Sequence, residues 1–93
     1  MNDHLQPIRA RDEAVTWRIV DGEAIVLDQR TWAYLSMNGT GALLWQRLVA
    51  GASEPELVAT LVESFELSED QSRGDVNRFL TALREHDLLA VSG

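Results

Sequence analysis

The chain has 93 residues, 45% of them hydrophobic and 25% charged, the balance of an ordinary globular protein and not of a disordered segment. That length supports one modest core and not two, so a single domain is expected across residues 1–93. The lack of cysteine excludes disulfides, thiolate chemistry and cysteine-based zinc sites, and a net charge of −7 disfavours partners with phosphate backbones.

The charge is uneven. Residues 53–93 carry nine acids (Glu54, Glu56, Glu63, Glu66, Glu69, Asp70, Asp75, Glu85 and Asp87) against Arg73, Arg78 and Arg84, while residues 1–52 are nearly neutral. Every basic residue is Arg, whose planar fork suits carboxylates. No apolar run approaches the about 18 residues of a membrane span, and no basic start leads into an apolar stretch. A soluble, cytoplasmic protein with no membrane partner is expected.

Residues 1–12 are polar and contain Pro7, which predicts a flexible arm with Ile8 able to tuck against a sheet. Val15 to Val20 alternates, with Val15, Trp17 and Ile19 on one face, and Asp21-Gly22 is a strong hairpin signal because both positions accept positive φ. A second strand, Glu23 to Asp28, and a turn at Gln29-Arg30 lead to a third, Thr31 to Ser36. Trp32 and Tyr34 share one face of that strand, and Thr31, Ala33 and Leu35 share the other. The result is an antiparallel meander whose last strand is an edge carrying neither Lys nor Pro. Such an edge is normally blunted, unless it accepts a peptide as an added strand.

Helical periodicity follows. Leu44, Trp45, Leu48 and Val49 form an apolar stripe closed by Gly51. Ser53 and Glu56 form a capping box with Pro55 in the first turn, ahead of the stripe Leu57, Val58, Leu61, Val62 and Phe65. Ser68 and Gln71 repeat the capping pattern, with Glu69 and Asp70 at the positive end of the helix dipole. Val76, Phe79, Leu80 and Leu83 line a third helix ending near Glu85. Gly74 inside it has no reason visible in the sequence. Leu88 to Val91 reads as an apolar tail folded back on the core, and Trp17 and Trp45 read as core. The fold class is therefore α+β, a three-stranded antiparallel sheet followed by three helices.

No catalytic constellation is present, and no cofactor or metal is expected. His4 and His86 lie at opposite ends of the chain without ligand spacing. Gly39-Thr40-Gly41 lacks the lysine and glycine spacing of a phosphate loop and reads as a helix-start turn. Asn38-Gly39-Thr40 matches a glycosylation sequon without a secretory signal beside it. Glu69, Asp70 and Asp75 lack calcium-loop spacing and read as a solvated helix start.

Asp21-Gly22-Glu23, Leu27-Asp28, Tyr34 to Ser36, Asn38-Gly39-Thr40-Gly41-Ala42, Trp45, Phe65, Asp75-Val76, Phe79-Leu80, Leu83 and Leu88-Leu89, in this order, resemble the PqqD-like family. These are the recognition elements of ribosomal peptide-modification (RiPP) systems, and the resemblance covers about residues 15–91. It implies a winged-helix-like fold that binds the leader segment of a precursor peptide, pairing it with the third strand beside the third helix. The implied peptide-binding residues are Thr31, Trp32, Ala33, Tyr34, Leu35 and Ser36 on the strand, with Asp75, Val76, Arg78, Phe79 and Ala82 on the helix. The opposite helix flank, Asn77, Thr81 and Arg84, is the alternative wall. Two positions depart from the family pattern, which has glycine in the turn near Arg30-Thr31 and again at Asp87. The first departure leaves the turn geometry open, whereas Asp87 can still adopt a left-handed cap.

Within the family, a free-standing chain of this size resembles the split recognition subunit of lasso-peptide pathways. Such a subunit presents the precursor to a separate leader peptidase and cyclase. The recognition partner of a radical-SAM peptide-modifying enzyme of PQQ type is the second reading. A winged-helix DNA-binding regulator is a third, against which stand five acids and three arginines between Ser68 and Asp87. A monomer, or a weak homodimer through the strand edge, completes the expectations.

Overall fold

The computed structural model describes residues 7–90. Strands β1 (Val15–Val20), β2 (Glu23–Asp28) and β3 (Ala33–Met37) form an antiparallel sheet in the order β1-β2-β3. Helices α1 (Gly39–Ala50), α2 (Glu54–Phe65) and α3 (Glu69–Glu85) follow, so the expected α+β order of elements is the observed one.

The first hairpin forms where Asp21 and Gly22 take φ of 53° and 80°, the two positive values a tight hairpin turn requires. The register places Trp17 opposite Val26 and Val26 opposite Leu35. Because opposed residues share a face, Val15, Trp17, Ile19, Ala24, Val26, Asp28, Ala33, Leu35 and Met37 look toward the helices. There they meet Leu44, Trp45 and Leu48 of α1, Leu57 and Leu61 of α2, Val76, Leu80 and Leu83 of α3, and Leu88. Each fully buried Leu of this set contributes about 1.5–3 kcal/mol over leaving it in water.

Trp17 departs from the core assignment. It is 38% exposed, because β1 is an outer strand, and it meets Trp45 in a T-shaped contact with ring centroids 6.4 Å apart. Val49 and Phe65 likewise fall at the margin of their helical stripes and remain exposed.

Local chemistry sets the helix boundaries. Asn38 accepts hydrogen bonds from Gly41 N–H at 3.0 Å and from the Thr40 hydroxyl at 2.9 Å, which starts α1 and occupies the sequon asparagine as a cap. Ser53 and Glu56 form the capping box in both directions, at 3.3 and 2.8 Å. The Ser53 backbone N–H, and then its side chain, hold the Glu56 carboxyl below its usual pKa. Ser68 accepts from Gln71 N–H at 3.1 Å. At the end of α3, Leu88 N–H reaches Leu83 C=O at 2.9 Å and Asp87 N–H reaches Arg84 C=O at 3.1 Å. Asp87 sits at φ 56°, so this is a Schellman ending with aspartate in the glycine position.

The arm is docked from Ile8 onward rather than loose. Ile8 exchanges backbone bonds with Ala52 at 2.8 and 3.0 Å, Arg11 N–H reaches Leu88 C=O at 2.8 Å, and Ala90 N–H reaches Arg9 C=O at 2.8 Å. The tail folds back as expected, with Leu88 buried and Leu89 bridged to Ala10. His4 and Val91 lie outside the described residues.

Candidate functional site

β3 starts at Ala33 rather than at Thr31. The Asp28 carbonyl accepts from both Thr31 N–H at 3.3 Å and Trp32 N–H at 2.7 Å, which holds those two residues in the turn. Trp32 closes that turn at φ 61°, a left-handed conformation that costs about 1–2 kcal/mol for a residue with a Cβ. This settles the turn geometry at the position where the family pattern has glycine. The Trp32 side chain is 70% exposed, so packing does not offset the cost.

Ala33 N–H donates to Thr31 Oγ1 at 3.3 Å. The Val20–Glu23 turn and the bond from Gln29 N–H to Ala14 C=O direct the backbone groups of Glu23, Ile25 and Leu27 toward β1. Those of Ala24, Val26 and Asp28 therefore meet Met37, Leu35 and Ala33, and the N–H and C=O of Tyr34 and Ser36 point away from the sheet. Among the described residues neither arm nor tail pairs with this side of β3.

Two depressions lie near this edge. A cleft of about 500 Å³ has a floor of Val26, Leu35 and Leu88 and a rim of Arg30, His86 and Asp87. A second depression, of about 260 Å³, lies between Asn38 and Gly41 at the start of α1 and Asp75, Arg78 and Phe79 of α3. Gly41 makes that approach possible, since a Cβ there would lie 3.1 Å from Met37 Cβ and 3.6 Å from Phe79 Cε1. A larger groove, of about 580 Å³, separates α2 from α3 and is lined by Val58, Val62 and Asn77. Its walls are helices whose backbone groups are already paired, so it offers an added strand nothing to pair with.

The residues expected to bind peptide therefore divide. Asp75, Arg78 and Phe79 share the flank of α3 that opens beside the β3 end, and Ala82 lies half-buried one turn on. Asn77, of the alternative flank, faces α2. Val76 is 1% exposed and packs in the core, so it offers the cleft no surface. On β3, Ala33 and half-buried Leu35 look toward the cleft, while Tyr34, 71% exposed, and Ser36 occupy the other face. Arg78 is ion-paired with Asp75. An exposed pair of this kind is worth about 0–1 kcal/mol and re-forms readily with another carboxylate.

The sequence reading missed the group that braces this cleft. Asp28, 6% exposed, accepts from Arg30 N–H at 2.9 Å, Arg30 Nε at 3.3 Å and Arg30 Nη2 at 3.2 Å. Arg11 Nη2 lies 3.0 Å from Asp28 Oδ2 as an ion pair without hydrogen-bond alignment. The Arg30 fork is the largest influence on the Asp28 carboxyl, outweighs the opposing effect of burial, and with Arg11 lowers its pKa from 3.8 to about 2. Arg30 also reaches Asp87 Oδ2 at 3.0 Å, and Arg11 Nε reaches Asp87 C=O at 2.8 Å. Arm, turn and the end of α3 are thus held together around one buried carboxylate. The signal was present: Ala24, Val26 and Asp28 alternate onto the inner face of β2, and an acid on an inner face requires a partner.

Residues 23–89 match the family described as coenzyme PQQ synthesis protein D (PqqD). The chain belongs to the PqqD family. No curated protein matches it. Two solved structures do. TbiB1 in complex with the TbiA(beta) leader peptide is 25% identical, with a TM-score of 0.81, over 91% of this chain and 98% of that one. A lasso peptide synthetase B1 complexed with the leader peptide is 26% identical, with a TM-score of 0.78, over 90% of this chain and 98% of that one. This PqqD-family chain thus spans nearly the whole of both.

Proposed function

We propose that this PqqD-family chain binds the leader segment of a ribosomally made precursor peptide as a fourth strand on β3. It does so beside α3 and presents the precursor to separate modifying enzymes, a leader peptidase and a cyclase of lasso-peptide type. The observation that carries this reading is the open edge of β3, where the N–H and C=O of Tyr34 and Ser36 point outward beside the cleft lined by Ala33 and Leu35. Backbone pairing supplies affinity with little demand on sequence, and pockets under alternate residues supply selectivity. Ala33 to Ser36 form the pairing segment, and Asp75, Arg78, Phe79 and Ala82 form the wall. Arg78 exchanges Asp75 for a leader carboxylate, and Phe79 with Leu35 holds an aliphatic or aromatic leader residue. The role is binding rather than catalysis. Affinity falls in the micromolar to nanomolar range, because ordering the leader offsets part of the gain.

The likeness to two leader-peptide complexes supports this reading. The family description, PQQ synthesis, favours as second reading a recognition partner for a radical-SAM enzyme. DNA binding is disfavoured, because Arg73 is paired with Glu69 and Asp70, and Arg78 with Asp75, leaving α3 little free positive charge.

The test is a calorimetric titration with the TbiA(beta) leader and with the leader encoded beside this chain's own gene. Binding of either is expected, weakened at least tenfold by Phe79→Ala and abolished by Ser36→Pro, which removes an outward N–H. N-methylating alternate peptide amides should abolish binding in one parity and spare it in the other. Equal tolerance of both parities would rule out strand addition. Adding purified leader peptidase then separates the two readings: faster leader cleavage in the presence of this chain supports the lasso-type assignment.

A further inference from the structure

Resting on that reading, we propose that the edge reads its peptide on both faces of the sheet. Tyr34, with Trp32 at the corner of the turn, selects an aliphatic or aromatic leader residue that points away from the helices. The cleft accounts only for leader residues on the helix side, those opposite Ala33 and Leu35. Side chains alternate along a strand, so the residue between them faces outward, with its Cβ about 4.5–5.5 Å from that of Tyr34.

The outward face is suited to an apolar side chain. The helices pack on the other side, and Tyr34 stands opposite Leu27, with Ile25 next along β2. Leu27 and Ile25 are only half-buried and, with Thr16, Arg18 and Tyr34, line a shallow depression of about 330 Å³. Arg18 on its rim disfavours a cationic occupant, and the Leu27 and Ile25 floor favours an apolar one. An added strand on β3 would extend this apolar surface by one row, which makes the leader itself the occupant.

Trp32 is a second, independent observation. Its left-handed backbone favours glycine, and its side chain is among the most exposed of the large hydrophobic residues. Neither property benefits the fold of the free protein. Strain held at an exposed aromatic beside an unpaired edge is explained if the ring is covered when the peptide binds.

The experiment is selection of displayed random 14-mer peptides on the full chain, on a Trp32→Gly/Tyr34→Thr variant and on Phe79→Ala. Glycine suits the Trp32 backbone and threonine suits a strand, so the double variant should fold, as circular dichroism would verify. On the native chain, selected peptides should prefer apolar residues at two cleft-facing positions and at the one between them. The double variant should lose the middle preference alone and bind the best peptide about fivefold more weakly. Phe79→Ala should do the converse. Equal binding by native chain and double variant, with no middle preference, would overturn the proposal while leaving strand addition intact. Peptides indifferent to N-methylation would overturn both. A change in sedimentation of the double variant with peptide binding unchanged would assign the face to a second copy of the chain, and the proposal would fall.

Discussion

Asp28 is the residue on which the geometry of the candidate edge most depends. It sits where the second turn begins, and its carboxylate holds Arg30 in a fork while Arg30 grips Asp87 across the cleft. Its pKa is lowered from 3.8 to about 2, so the stability it contributes is complete above pH 3.8 and is lost as pH falls toward 2. Denaturant unfolding of native chain and Asp28→Asn should therefore differ clearly at neutral pH and converge across that acid window. A gap that persists unchanged at pH 2 would show that shape, not charge, is what Asp28 supplies. Asp87 is the other unusual choice. An acid at a helix C-terminus opposes the dipole, and left-handed backbone favours glycine, yet both costs are met where Arg30 can reach it.

At the scale of elements, each helix begins on a side chain that the sequence displays openly. Removing one half of the α2 capping box by Ser53→Ala should cost about 1 kcal/mol, readable as a lower denaturant midpoint with unchanged slope. Within α3, Gly74 has helical backbone, and a Cβ there would meet only Arg78 Nη1, at an ordinary 3.6 Å. The structure gives no reason for glycine at this point. Gly74→Ala should raise stability by about 0.5–1 kcal/mol, a gain of several degrees in a melt. The boundary of β3 shows the limit of periodicity. Thr31 and Trp32 continue the alternation on paper, but the Asp28 carbonyl captures both of their N–H groups and keeps them in the turn. Trp17, Val49 and Phe65 are apolar and correctly phased, yet sit at the rim of a core too small to enclose them.

For the whole molecule, a net charge of −7 and a docked arm leave the β3 edge as the natural place for a partner strand. Sedimentation at dilute concentration should show a monomer that becomes a one-to-one complex when leader is added. A stable dimer in the absence of peptide would instead mean the edge pairs with its own copy. Among the described residues no helix is long and apolar enough to cross a membrane.

What could be read along the chain was whatever depends on neighbours a few residues apart: the Asp21-Gly22 turn, the Ser53 and Ser68 caps, and the stripes of the three helices. These interactions are settled within one turn of backbone and need no knowledge of the rest. The rotation of α3 about its axis was not legible, because Asn77 and Phe79 occupy opposite flanks of equal local merit. Packing against α2 and the close approach at Gly41 decide it. Nor was the bracing of the cleft, since Arg11, Asp28, Arg30 and Asp87 meet only once arm, sheet and last helix have been folded against each other.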